Sequence, residues 1–144
     1  MAIEGGCRCG AVRYAIALEA LPPVYACHCL QCQRWSGSAF SLQALVAEDA
    51  LSVSGPVEDY VFTTGDRTST QRLCATCRTR IYNTNTRRPG IAVVRAGTFD
   101  RSEALACVAH IFTATRQRWF DLPAGVPQWP DAPPPDAFAA VRRG

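Results

Sequence analysis

The chain has 144 residues, 48% of them hydrophobic and 19% charged, with a net charge of +3. That balance suits one globular domain with a proper core and excludes a disordered chain; no apolar run is long enough to span a bilayer, and the charge is too weak to indicate nucleic acid. All 15 basic residues are arginine and the 2 histidines are His28 and His110, which excludes lysine Schiff-base chemistry, a phosphate-loop lysine and a three-histidine metal centre.

The predicted elements, taken along the chain, are mostly strands. Val12, Tyr14, Ile16 and Leu18 alternate with Ala11, Arg13, Ala15 and Ala17, the period of a strand with one buried face. Residues 31–35 read as one helical turn. Phe40, Leu42, Ala44 and Val46 repeat the alternation, and Leu51 and Val53 mark a short strand closed by Gly55-Pro56. Further strands are expected at 60–64, 70–74, 91–98 and 106–113, with turns at Gly65-Asp66 and Pro89-Gly90. From Leu122 the prolines 123, 127, 130, 133, 134 and 135 make a stiff extended segment, and residues 136–143 read as a short helix with Asp136 as its cap. The expected fold is mainly β, several small antiparallel sheets stacked together. Residues 1–121 form the domain, and 122–144 form a proline-rich extension that wraps it and covers a sheet edge.

Seven of the 8 cysteines fall in metal-knuckle spacings: Cys7 with Cys9, Cys27 with Cys29 and Cys32, and Cys74 with Cys77. The first residues, Met1-Ala2-Ile3-Glu4-Gly5-Gly6, show no basic start, apolar region or cleavage site, so a cytoplasmic chain with reduced thiols is expected. Bridging pairs as close as Cys27 and Cys29 would also close strained rings. Sulfur ligation selects zinc or iron over magnesium or calcium.

Residues two apart on a strand share a face, so Cys7 and Cys9 present both sulfurs to one ion. With the Cys74 and Cys77 knuckle they complete a tetrahedral shell that contributes folding energy directly. Cys27, Cys29 and Cys32 supply three sulfurs only, and an open fourth position distinguishes a catalytic zinc from a structural one. Partial occupancy of that second site is expected. A helix beginning near Cys32 favours thiolate there. His28 is expected to point away from its flanking cysteines. His110 and Cys107 are the candidates for folding close to the open position, although Cys107 reads as a small buried hydrophobe. Three thiolates outweigh the charge of a 2+ ion, so the centre is electron-rich and suits an incoming thiol. That points to sulfur chemistry on a small electrophile rather than to hydrolysis.

The run from Gly6 to Tyr14 (GCRCGAVRY) resembles the opening signature of the glutathione-dependent formaldehyde-activating enzyme family, which includes centromere protein V. The run from Cys27 to Gly37 (CHCLQCQRWSG) is similar to its central motif, Cys74-Ala75-Thr76-Cys77 to its later knuckle, and His110-Ile111-Phe112 with Trp119-Phe120-Asp121 to its closing region. The resemblance implies antiparallel sheets with a structural zinc on Cys7, Cys9, Cys74 and Cys77 and a catalytic zinc on Cys27, Cys29 and Cys32. The activity it implies is the joining of glutathione and formaldehyde into S-hydroxymethylglutathione, formally a carbon–sulfur lyase reaction. The family usually places glycine after the later knuckle; here Arg78 stands there and must take left-handed backbone at a modest cost.

Glutathione carries two carboxylates, and Arg34, just after the three-cysteine motif, is the arginine placed to contact them. Arg8, Arg78, Arg116 and Arg118 read as surface residues, and Trp35 and Phe40 as core aromatics. Two other functions fit the cysteines: a non-catalytic zinc-stapled binding module, and a coloured, sulfur-ligated iron carrier. The open shell favours an enzyme, because binding modules close theirs. The expected partners are a small thiol (glutathione or similar) and a small electrophile, formaldehyde or another, with neither nucleic acid nor membrane.

Overall fold

The computed structural model describes residues 2–143. Among them are ten strands, β1 (Ile3–Gly6), β2 (Arg13–Ile16), β3 (Val24–Cys27), β4 (Ser41–Ala47), β5 (Leu51–Ser54), β6 (Val57–Thr64), β7 (Arg67–Cys74), β8 (Arg80–Asn85), β9 (Ile91–Arg95) and β10 (Cys107–Ile111). Two α-helices join them, α1 (Leu30–Ser36) and α2 (Pro135–Arg143), and the chain is mainly β. No helix among the described residues is long and apolar enough to cross a membrane. The chain forms two compact units. One holds the stretch up to Pro22 together with Ala44–Ala104; the other holds Pro23–Gln43 together with the stretch from Leu105 onward.

In the first unit, β1, β2 and β5 form an antiparallel sheet in that order, with Ile16 opposite both Ile3 and Leu51. Val12, Tyr14 and Ile16 are buried, as their alternation predicts. The Tyr14 ring meets Phe99 edge-on at 6.1 Å, and its hydroxyl pairs with Thr98 Oγ1 at 2.8 Å. Gly5 makes room for this ring: a side chain there would stand 2.3 Å from Tyr14 Oη. The strands β9, β8, β7 and β6 are hydrogen-bonded in that order, all antiparallel. The tight turn from β7 to β8 carries Cys74 and Cys77. The strand expected at 91–98 stops at Arg95 and closes in a short 3-10 turn.

In the second unit β3 is central. It pairs antiparallel with β4, Tyr25 opposite Gln43 and Cys27 opposite Ser41, and parallel with β10, Ala26 opposite His110 and Cys27 opposite Ile111. The parallel pair departs from the all-antiparallel expectation, and its partners lie too far apart in sequence for local patterning to announce it. All four β3 side chains are buried, so the strand shows no alternation. The part of β4 that belongs to this unit buries Ser41 and Gln43, and its continuation in the first unit buries Ala44 and Val46. Leu42, expected inside, is only half-buried, because the start of this strand turns Ser41 and Gln43 inward instead.

The helix α1 begins at Cys29, whose Sγ accepts the Cys32 N–H at 3.3 Å, and ends at Gly37. Gly37 has left-handed φ of 64°, and its N–H donates to Gln33 O at 2.8 Å, a conformation that glycine takes without steric cost. In the terminal segment, His110 N donates to Pro127 O and Trp129 N donates to His110 O, both at 3.0 Å, so this stretch runs along β10. The helix α2 starts at Pro135 with Asp136 inside its first turn rather than ahead of it as a cap. Proline suits that first position, where its missing N–H would have no partner anyway. Phe138 is buried and meets Tyr25 edge-on at 4.8 Å and Trp129 at 6.2 Å.

Candidate metal centres

The eight cysteines are all thiols, and seven gather into two groups of mutually close sulfurs, each within 4.8 Å of one another: Cys7, Cys9, Cys74 and Cys77, and Cys27, Cys29 and Cys32. Both sets are those that the sequence spacing predicts, and each lies wholly inside one unit.

The first group is built by the turn that follows β1, where Cys7 and Cys9 lie rather than on the strand the sequence suggested, and by the knuckle after β7. Sulfurs stand 3.6 Å apart at Cys7 and Cys9 and 3.9 Å apart at Cys9 and Cys74. A tetrahedron with metal–sulfur bonds of about 2.3 Å has edges of about 3.8 Å, so these separations fit a sulfur-bound ion. Backbone N–H groups point at the sulfurs: Val12 at Cys7 (3.3 Å), and Thr76 and Cys77 at Cys74 (both 3.4 Å). The knuckle closes with Arg78 N donating to Cys74 O and Cys74 N donating to Thr79 O, each at 2.9 Å. Arg78 has φ of 67°, the left-handed backbone expected where a glycine is usual. Its guanidinium pairs with Glu58. The Cys77 thiol is pulled down to about 5, first by the Thr79 hydroxyl and then by the Thr79 N–H, so it is poised as thiolate near pH 7.

The second group spans the end of β3 and the start of α1. Hydrogen bonds with Cys27 and Cys32 pull Cys29 down to about 2, while those with Cys29 and Cys32, and then burial, push Cys27 up. One thiolate thus forms readily among three sulfurs, and a bound cation would draw off the remaining protons. Among the described residues no histidine, carboxylate or further cysteine joins this set. His28 is fully buried; its Nε2 pairs with His110 Nδ1 at 2.9 Å, and its ring packs against Phe40 and Phe120 at 5.2 and 5.3 Å. His110 Nε2 lies 3.8 Å from Cys107 Sγ. The two candidates for the open position therefore serve a buried pair behind the loop. Cys107 is half-buried rather than a fully buried hydrophobe. Burial lowers His28 to about 4, lowers His110 and raises Cys107, so this layer is neutral near pH 7.

Two further residues, not singled out by sequence, hold the loop from outside. Gln33 Nε2 donates to His28 O at 2.9 Å and to Thr115 O at 2.8 Å, and Thr115 Oγ1 donates to His28 O at 2.9 Å. The carbonyl between Cys27 and Cys29 is thus clamped twice. Thr115 is aimed by the turn after Phe112, a non-glycine residue with left-handed φ of 54°. Gln117 Nε2 donates to Gln33 Oε1 at 3.4 Å, and Trp119 Nε1 donates to Gln117 Oε1 at 2.5 Å. Gln33, Arg34, Ser38, Gln117 and Trp119 line an open groove of about 450 Å³. Arg34 thus belongs to a concave surface on the helix that starts at the sulfurs. Trp35 and Phe40 are half-buried. Arg116 donates to Thr113 O at 3.2 Å.

Residues 2–115 match the family described as glutathione-dependent formaldehyde-activating enzyme, and the chain belongs to that family. It matches no curated protein sequence. Among solved structures, a crystal structure of a Rhodobacter sphaeroides protein is similar to it, with a TM-score of 0.56 and 20% identity over 73% of this chain and 98% of that one. At that identity the likeness concerns the fold alone.

Proposed function

We propose that this protein is a zinc-dependent enzyme of the carbon–sulfur lyase type, joining a small thiol, glutathione or similar, to formaldehyde or another small electrophile. The observation that carries this reading is the contrast between the two sulfur groups. Four sulfurs at tetrahedral spacing need no further ligand, whereas three sulfurs with no fourth donor among the described residues leave room for one. Cys7, Cys9, Cys74 and Cys77 hold a structural zinc, and Cys27, Cys29 and Cys32 a catalytic one. Membership of the family supports the same substrates.

Cys27, Cys29 and Cys32 would hold the zinc, which would supply a soft coordination position for the sulfur of an incoming thiol. The thiol gives up its proton to solvent and its sulfur adds to the carbonyl carbon of formaldehyde: a carbon–sulfur bond forms, the π pair moves to oxygen, and a proton from solvent ends on that oxygen. The chain's own part is to fix the sulfurs and the substrate. Gln33 and Thr115 hold the loop through His28 O. Arg34, on the groove wall, meets a carboxylate of the thiol.

The test is Cys29→Ala in protein loaded with cobalt. The variant should keep its fold and one ion per chain, lose the second, and lose thiol-dependent formation of the formaldehyde adduct. Glutathione should change the visible spectrum of the wild-type protein but not of the variant. A loaded three-sulfur site whose spectrum ignores glutathione would refute direct thiol ligation and leave a zinc-stapled binding module as the better account.

A further inference from the structure

We propose that Gln43 is a positioning residue for the three-sulfur centre, its side-chain amide holding and charge-balancing the Cys32 sulfur through an N–H···S hydrogen bond. The inference rests on the reading that these sulfurs carry a metal.

Gln43 lies on β4 and is only 7% exposed, an unusual place for an amide unless its polar atoms are bonded. The register of the sheet accounts for its reach. β3 leads directly into the cysteine loop, and β4 sets Gln43 opposite Tyr25 and Ser41 opposite Cys27, alongside the strand that delivers the first sulfur. From there Gln43 Nε2 stands 3.5 Å from Cys32 Sγ.

The three sulfurs are served differently. Cys29 Sγ takes its donor from the backbone, the Cys32 N–H at 3.3 Å, which comes with the helix start whatever the side chains are. Cys32 receives a donor from a side chain on another element, and that donor depends on the identity of one residue. Three thiolates on a 2+ ion leave one excess negative charge. An amide N–H directed at one sulfur withdraws part of it, fixes the direction of its lone pairs and tightens the site. Such outer partners change metal affinity 10–100-fold when removed.

The experiment compares Gln43→Met, of similar length but without a donor, with Gln43→Glu, of the same shape but with an acceptor facing the sulfur. Zinc affinity at each centre is measured by chelator competition, and the sulfur-to-metal charge-transfer band is recorded with cobalt. Gln43→Met should weaken the three-sulfur site roughly 10–100-fold, leave the four-sulfur site unchanged and move the band to lower energy; Gln43→Glu should weaken the site further. Wild-type affinity and an unshifted band in both variants would overturn the inference while leaving the proposed function standing. Equal weakening of both centres would also overturn it, because Gln43 would then support the fold rather than the sulfur. A wild-type chain that binds only one ion would overturn both.

Discussion

Replacing Arg78 isolates what the later knuckle costs the fold. The residue sits at φ 67°. Left-handed backbone costs a residue with a Cβ about 1–2 kcal/mol. Glycine escapes that cost but surrenders ~0.5–1 kcal/mol of unfolded-state entropy, so the backbone gain on changing alanine to glycine here is ~0.5–1 kcal/mol. The side chain works the other way. Arg78 pairs with Glu58, but the two are 60% and 53% exposed, and a pair so solvated is worth about 0.5 kcal/mol at most. Arg78→Ala should therefore lose roughly that amount, while Arg78→Gly should come out level with wild type or slightly above it. The gap between the two variants corresponds to ~2–4 °C in melting temperature for a chain of this size. The assay is thermal or urea unfolding at a fixed excess of zinc, so that metal linkage is constant. Raising the salt should abolish the loss in Arg78→Ala and leave the gap between the variants unchanged. A glycine variant no more stable than the alanine variant would refute the argument that the knuckle is strained at this residue.

On the proposed assignment of a structural ion to the four sulfurs, Cys77→Ala should lose one of two ions and unfold or aggregate, as read by metal content and melting. Phe138→Ala should cost about 3–5 kcal/mol in urea unfolding, since the ring is buried between Tyr25 and Trp129. Burial holds His110 below its usual 6.5, so below that pH the unfolded chain takes up a proton that the folded chain refuses, and stability falls as pH drops. His110→Phe should flatten that decline in unfolding curves taken from pH 7 downward; an identical slope would show that this histidine titrates normally.

Both sulfur groups were legible in the sequence because metal spacing is local chemistry, two apart in a turn and three apart at a knuckle or a helix start, even though Cys7 and Cys9 lie beyond β1 and not on a strand as expected. The strand at Arg13–Ile16 was legible because one of its faces is buried and the other is not. β3 escaped notice because Val24-Tyr25-Ala26-Cys27 is buried on both faces. β8 escaped because one of its inward residues, Asn83, is an amide. β1 is only four residues long and ends in two glycines. The supports of the three-sulfur loop were hidden for a different reason. Gln33, Gln43 and Thr115 carry no motif, and their roles exist only once β3, β4 and the turn after β10 stand side by side. Arg78 shows the converse, since a single residue in a family glycine position announced a backbone conformation that the structure has.

The parallel pairing of β3 with β10 bears on the order in which the molecule is completed. The three sulfurs lie close together early in the chain, as though their site formed as soon as it was synthesised. Its frame arrives much later: His28 N donates to Ile111 O at 3.0 Å, and the His28 carbonyl waits for Thr115. A nascent chain emerged as far as Ala104 already carries all seven clustered cysteines and every residue of the first unit. The four-sulfur centre then has all its donors, while the Cys27–Cys32 loop has β4 on one side of β3 but still lacks β10 on the other. Closing so long a loop is slow relative to forming hairpins. The donors of the four-sulfur centre are therefore complete before the residues that frame the three-sulfur loop, Ile111 and Thr115, have been synthesised.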